Sequence, residues 1–333
     1  MYVWDDEWLA RRTEAVLAPD IAIIDPHHHL WDREGASRYL VDDLHRDTNA
    51  GHSIEATVYM ECAWGYRTTG PDHMRPVGET ETIAATAEQS LGAGAEIKGI
   101  VSFADMTLGE AVEDVLVAHL ASGRGRFRGI RHATAFDLSS EIRRTHTRPS
   151  EQLMADPNFR RGVHQLGSMG LSFDAWLYHP QIPELTALAR AVPECTFILD
   201  HLGGILGTGP YAGHRTEILD QWRRDIAELA TCPNVNMKLG GIGMVVFGLG
   251  FEHHALPPTS IDLAETWGDP IRYAIEQFGP QRCMFESNFP VDKRCCSYTV
   301  LWNAFKRIAA DYSAAEKQQL FHDSAARVYR IAA

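Results

Sequence analysis

Residues 21–32 read IAIIDPHHHLWD, and the rest of the chain is best understood outward from them. Ile21, Ala22, Ile23 and Ile24 form a short apolar run, the pattern of a strand covered on both faces. The run ends in Asp25-Pro26-His27-His28-His29. Side chains alternate across a strand, so His27 and His29 share one face while His28 points the other way. Polar residues at a strand's exit into solvent explain one histidine more easily than three. Two imidazoles at this spacing can grip one small ion or one substrate oxygen.

Seven further apolar, β-rich runs follow, at 54–62, 97–103, 127–133, 170–177, 195–201, 235–240 and 283–288. Helical periodicity fills 109–120, 158–169, 180–191, 216–230 and 260–277, with two more helical segments at 297–311 and 314–331. Eight strands alternating with helices imply parallel βα units. At this length they predict one distorted (β/α)8 barrel of the α/β class, with extra C-terminal helices. Residues 1–20 read as an N-terminal extension and 21–333 as a single barrel. The irregular stretches 31–53, 63–77 and 241–259 all follow strands, so they are expected over the barrel mouth.

The 333-residue chain has 31 basic and 44 acidic side chains, a net charge of −13. That balance argues against nucleic acid or an anionic membrane as partner. No apolar run reaches the ~18 residues that suggest a membrane span. The amphipathic, acidic first 20 residues lack a signal-peptide pattern. The six cysteines are scattered without a CxxC, which suits reduced thiols and a cytoplasmic protein. GxSxG, P-loop and strand-following GxGxxG patterns are missing, so serine hydrolases and nucleotide enzymes fit poorly.

The strand ends are unusually polar. The first carries His27 and His29, the second Glu61, the fourth Arg131 and His132, and the fifth Asp174, Trp176 and Tyr178. The sixth carries Asp200 and His201, the seventh Lys238, and the eighth Glu286 and Asn288. Each alone has an ordinary structural explanation. Together they crowd one end of the barrel while the strand starts stay apolar, and the carboxyl end is where such barrels build active sites. His27, His29 and His201 with nearby carboxylates form a ligand set for one divalent ion, Zn or Mn. Metal-free polarisation of a carbonyl by the same histidines is the alternative. Arg131 suits a substrate carboxylate, with His132, Glu61, Asp174, Tyr178 and Lys238 as further substrate-binding candidates. The partner expected is a small anionic molecule; a homo-oligomer is compatible with the sequence.

The motifs IIDPHHHLWD, FRGIRHA, LSFDAWL, FILDHLGG, VNMKLGG, RCMFESNFPVD and ARVYRI together resemble the amidohydrolase superfamily. They are most similar to the amidohydrolase-related branch that holds sugar lactonases and 2-pyrone-4,6-dicarboxylate lactonase. The resemblance runs from about Ile21 to the end, with His27-x-His29 and Asp200 to Gly204 its most specific parts. It implies a distorted barrel that hydrolyses a cyclic ester, with the histidines of the first and sixth strands on a metal or on the substrate carbonyl. Members differ in whether they need a metal.

One position departs from that pattern. Relatives usually carry an aspartate in the eighth-strand motif as general base, and here the motif is Ser287-Asn288-Phe289-Pro290. An amide cannot take a proton from water near neutral pH. Glu286, two residues back on the same face of an ideal strand, is the expected replacement, with Glu61 and Asp292 in reserve. The competing functions are a metal-dependent decarboxylase of an aromatic or unsaturated acid and a non-catalytic binding protein.

Overall fold

The structure, a computed structural model, describes residues 2–332. The eight expected strands are present as β1 (Ala22–His28), β2 (Ser53–Met60), β3 (Glu96–Ser102) and β4 (Phe127–Ile130), followed by β5 (Ser172–Ala175), β6 (Thr196–Leu199), β7 (Val235–Lys238) and β8 (Cys283–Met284). All neighbours pair in parallel and in chain order, from β1 to β8. The ladder of β8 is short. Closure onto β1 comes just beyond it, where Asn288 N–H donates to the His27 carbonyl at 2.9 Å and His29 N–H to the Phe289 carbonyl at 2.7 Å. Asp25 reinforces this seam, accepting from Ser287 N–H at 2.9 Å and Tyr298 O–H at 3.0 Å. Burial pushes its carboxyl up to about 6, against the pull of those donors.

Ile24, Val58, Val101, Ile198 and Met284 form a cluster with Ala325, Val328 and Tyr329 from the C-terminal helix. Those C-terminal residues plug the barrel at the end where strands start. There Lys98 Nζ donates to the Ala332 carbonyl and Arg330 to that of Arg128. The other end is left for the long loops. Residues 2–20 run along the outside, tied down by Trp8 Nε1 to the His254 carbonyl at 2.9 Å and Leu17 N–H to Asn303 Oδ1 at 2.8 Å.

Three features differ from the sequence expectation. The stretch 31–53 contains a helix, Val41–Thr48. A second helix, Val77–Gln89, fills the unassigned β2–β3 connection. Its buried side includes Glu79 and Thr80 beside Ile83, Ala84 and Ala87, which blurs the apolar stripe that would betray a helix. The segment 314–331 is broken by a π-helical turn at Gln319–Asp323, where the Leu320 carbonyl accepts from Phe285 N–H at 2.9 Å. All six cysteines are unpaired. No helix among the described residues is long and apolar enough to cross a membrane.

Candidate active site

At the carboxyl ends of the strands a cavity of about 420 Å3 opens between the long loops. His29, Arg131, Tyr178, His201 and Asn288 line it, so five expected site residues share one concave surface. His27, Glu61, Asp174, Lys238 and Glu286 lie beneath, fully buried as a charged floor.

As strand alternation requires, His27 and His29 pack together with ring centroids 4.9 Å apart, while His28 turns away against Tyr59. The Nε2 atoms of His27 and His29 are 3.2 Å apart. His29 Nδ1 lies 2.8 Å from the Met60 carbonyl, so it carries the proton. His27 Nδ1 lies 2.8 Å from Glu286 Oε2. Lys238 Nζ is 3.2 Å from the same nitrogen and donates to Asp174 at 2.8 Å, with the Asp200 carboxylate 3.1 Å away. The two Nε2 atoms face one another, and Arg131 Nη1 also approaches that of His27. Burial, reinforced by Lys238 for His27 and by Arg131 for His29, holds both pKa values well below the ordinary imidazole range and keeps the rings neutral. Two nitrogens around one tetrahedral ion at ~2.0–2.1 Å would stand about this far apart. The donor set fits a borderline divalent ion.

Glu286 reaches the third histidine as well. Its Oε1 is 2.6 Å from His201 Nδ1 and 3.2 Å from the His201 amide nitrogen. This contact depends on an unusual turn after β6, where His201, Leu202, Gly203 and Gly204 all have positive φ. Non-glycine residues in that region are strained, and such strain collects at functional sites. Two glycines after β7 make the room. A Cβ on Gly241 would sit 2.2 Å from His201 Nδ1, and one on Gly240 would sit 2.5 Å from Glu286 Cγ. His27, His201 and Glu286 thus group their ligand atoms within 4.8 Å, with Glu286 hydrogen-bonded to His201 and its second oxygen 2.8 Å from His27 Nδ1.

A family model described as amidohydrolase matches residues 24–331. The chain belongs to the amidohydrolase family. It is 33% identical to an uncharacterized protein, y4mH, of Sinorhizobium fredii over 94% of this chain and 99% of that one. It is 26% identical to an L-fucono-1,5-lactonase of Burkholderia multivorans over 92% of this chain and 96% of the relative. A crystal structure of a B. multivorans amidohydrolase with bound zinc superposes with a TM-score of 0.72 at 26% identity, covering 93% of this chain and 99% of that one.

In this amidohydrolase several expected residues are placed differently from their sequence reading. His132 does not line the cavity. It points outward, accepts from Met106 N–H at 3.2 Å and packs against Phe103 and Phe159. Neighbours on a strand cannot both face inward, and Arg131 holds the inward place. Arg131 is itself engaged: Nε donates to Glu61 Oε1 at 2.8 Å and Nη2 to the Glu61 carbonyl at 2.5 Å, while Nη1 is 3.3 Å from His27 Nε2. Burial would raise the Glu61 pKa, but His146 and Arg131 outweigh it and hold the carboxyl far below its usual range. Asp174 also accepts from Tyr329 O–H at 2.5 Å, so Lys238, Asp174 and Tyr329 form an internal network without access to the cavity.

Glu286 and Asn288 do not share a face. The ladder ends at Met284, and Asn288 takes φ 53°, so ideal alternation stops applying between them. Glu286 goes under His201, whereas Asn288 lines the cavity and donates to Asp292 Oδ1 at 2.9 Å. Asp292 also accepts from Gly243 N–H at 3.0 Å, and burial lifts it to about 7.

Sequence reasoning missed His146, whose Nε2 pairs with Glu61 Oε2 at 3.1 Å. It sits in the irregular stretch 131–152 after β4, a strand-following loop long enough to have been singled out. Also missed on the cavity wall were Tyr2, Arg143 and Arg294, together with the aromatic face of Trp31.

Proposed function

We propose that this amidohydrolase hydrolyses a small lactone or related cyclic ester bearing a negative charge. The observation that carries the reading is the Glu286–His201 pair at the cavity wall. With Nδ1 held by the carboxylate, Nε2 of His201 is the nitrogen left for a ligand, as a general base requires. His201 takes a proton from water as the new C–O bond forms at the ring carbonyl. It returns that proton to the ring oxygen as the ester bond breaks. Arg131, buried beside the same surface, supplies fixed positive charge where the carbonyl oxygen gathers negative charge. Glu286 therefore works through His201 and does not itself meet the water.

His27 and His29 would hold a divalent ion through Nε2. Such an ion, when bound, polarises a carbonyl and makes a bound water more acidic. Similarity to L-fucono-1,5-lactonase supports the cyclic-ester reading.

The test is a panel of lactones and a panel of aromatic carboxylates, following ring opening and CO2 release, on protein purified without chelator and assayed for metal. Ring opening that is lost in His201→Ala is the expected result. CO2 release without ring opening would replace hydrolysis by decarboxylation. A melting temperature raised by a lactone that is never turned over would point to a binding protein.

A further inference from the structure

The cavity wall concentrates positive charge in an acidic chain. Arg33, Arg131, Arg143, Arg294 and His146 face a space whose one lining carboxylate is Glu141, although the whole molecule carries −13. The four arginines differ in what occupies them. Arg131 spends its fork on Glu61 and points its remaining nitrogen at His27. Arg33 donates to the Cys62 carbonyl at 2.9 Å and lies over the Trp31 ring. For the guanidinium groups of Arg143 and Arg294, no hydrogen-bonding or carboxylate partner is found among the described residues.

Arg143 is nonetheless held in place. Its backbone carbonyl accepts from Tyr178 O–H at 2.5 Å, which fixes the loop to the cavity wall. Its guanidinium carbon lies 4.3 Å from the centroid of the Tyr2 ring. Tyr2 in turn packs on Trp31 at 5.4 Å and accepts from Ser37 N–H at 3.0 Å through its carbonyl. An aromatic face orients an arginine without neutralising it, so its planar fork stays available for an anion.

We infer that Arg143, seated on Tyr2 of the N-terminal segment, and Arg294 form an anion subsite at the cavity mouth that takes the carboxylate of a cyclic ester. Arg131 on the floor is not that subsite. The ring carbonyl then lies at the floor beside His201 and the carboxylate at the opposite end of the ligand. The preferred substrate is a lactone whose charge is remote from the bond that breaks. Tyr2 is a positioning residue, and residues before the barrel thereby help set specificity.

The inference rests on reading the cavity as a lactone-opening site, so its test has two arms. In the first, a γ-butyrolactone with a ring carboxylate and its primary carboxamide are compared as substrates, and the ratio of their kcat/KM values is measured. Arg143→Gln and Arg294→Gln are each expected to lower that ratio by about ten- to a hundredfold, the scale of a lost charge-assisted contact. Arg143→Lys recovers part of it. Tyr2→Leu lowers the ratio in the same direction, while Tyr2→Phe keeps it.

In the second arm, calorimetry follows binding of the carbocyclic ketone carboxylate, which has the ring and the charge but no ester. Its affinity should exceed that of the matching carboxamide, and the same variants should erase the difference. If no lactone opens but this binding pattern holds, the hydrolytic reading fails and the subsite stands. If the wild-type protein does not prefer the carboxylate, or if only Arg131→Gln changes the preference, the subsite is overturned.

Discussion

Glu286 places Oε1 2.6 Å from Nδ1 of His201, 85 positions away in sequence, and neither residue could hold that geometry alone. The carboxylate is fully buried, orients His201 and brings its second oxygen within 2.8 Å of His27 Nδ1 without touching the cavity. A histidine whose tautomer is set by a buried carboxylate acts as a base through its free nitrogen.

Glu286→Gln should therefore lower kcat by roughly 10²–10⁴, the range for loss of effective general base catalysis, with KM little changed. The substitution keeps the shape but removes the negative charge that faces both rings. Steady-state kinetics on one lactone decide it. A variant as active as its parent would remove Glu286 from the mechanism.

Arg131 is expected to matter for stability as well as activity. Arg131→Gln leaves Glu61 buried with only His146 as charged partner, and breaking a buried ion pair costs about 3–5 kcal/mol. Urea denaturation should register a loss of that order. Unchanged stability would mean that Glu61 is neutral in the folded protein.

Asn288→Asp would install the aspartate that the family resemblance implies at this position, yet here it should harm. Asn288 donates to Asp292 at 2.9 Å, so the change sets two carboxylates against each other and raises the folded-state pKa of the pair. Raised carboxyl pKa values cost stability once pH exceeds the unfolded value, about 4. The melting temperature should fall at neutral pH and recover towards acid. The swap Asn288→Asp with Asp292→Asn should restore it at both. Thermal scans of the three proteins across pH test the pairing.

His146 and Glu61 define a pH window. The Glu61 charge raises the His146 pKa above 6.5, so its contribution is complete below 6.5 and is lost as pH rises through the raised value. Glu61 is depressed below 4.5, so its contribution is complete above 4.5 and is lost only as acid reaches the depressed value. The pair is fully formed between the two. His146→Gln should lower the melting temperature within that window, and the gap from wild type should close as pH rises. A gap that persists far above neutrality would show that His146 acts by packing, not by charge.

The barrel was legible because its signals are local. Eight apolar runs, separated by helical periodicity, encode βα units through the side-chain periods of strand and helix. The same logic put His27 and His29 on one face, since two residues of strand are enough to know which way a side chain points. Five of the polar residues singled out at strand ends, His29, Arg131, Tyr178, His201 and Asn288, line the cavity.

What each of those residues does was decided by contacts between distant parts of the chain. Arg131 and His132 are adjacent, and only the packing of β4 turned one inward and the other against Phe159. Glu286 and Asn288 look equivalent on an ideal strand. The end of the ladder at Met284 and the left-handed turn at Asn288 sent one beneath His201 and the other to the cavity. Tyr2 and Arg143 meet across 141 positions, and His146 reaches Glu61 from a loop without regular structure. Periodicity fixes directions relative to a strand. Which inward group is neutralised, and which is left free for a ligand, depends on partners that only the closed barrel brings within hydrogen-bonding distance.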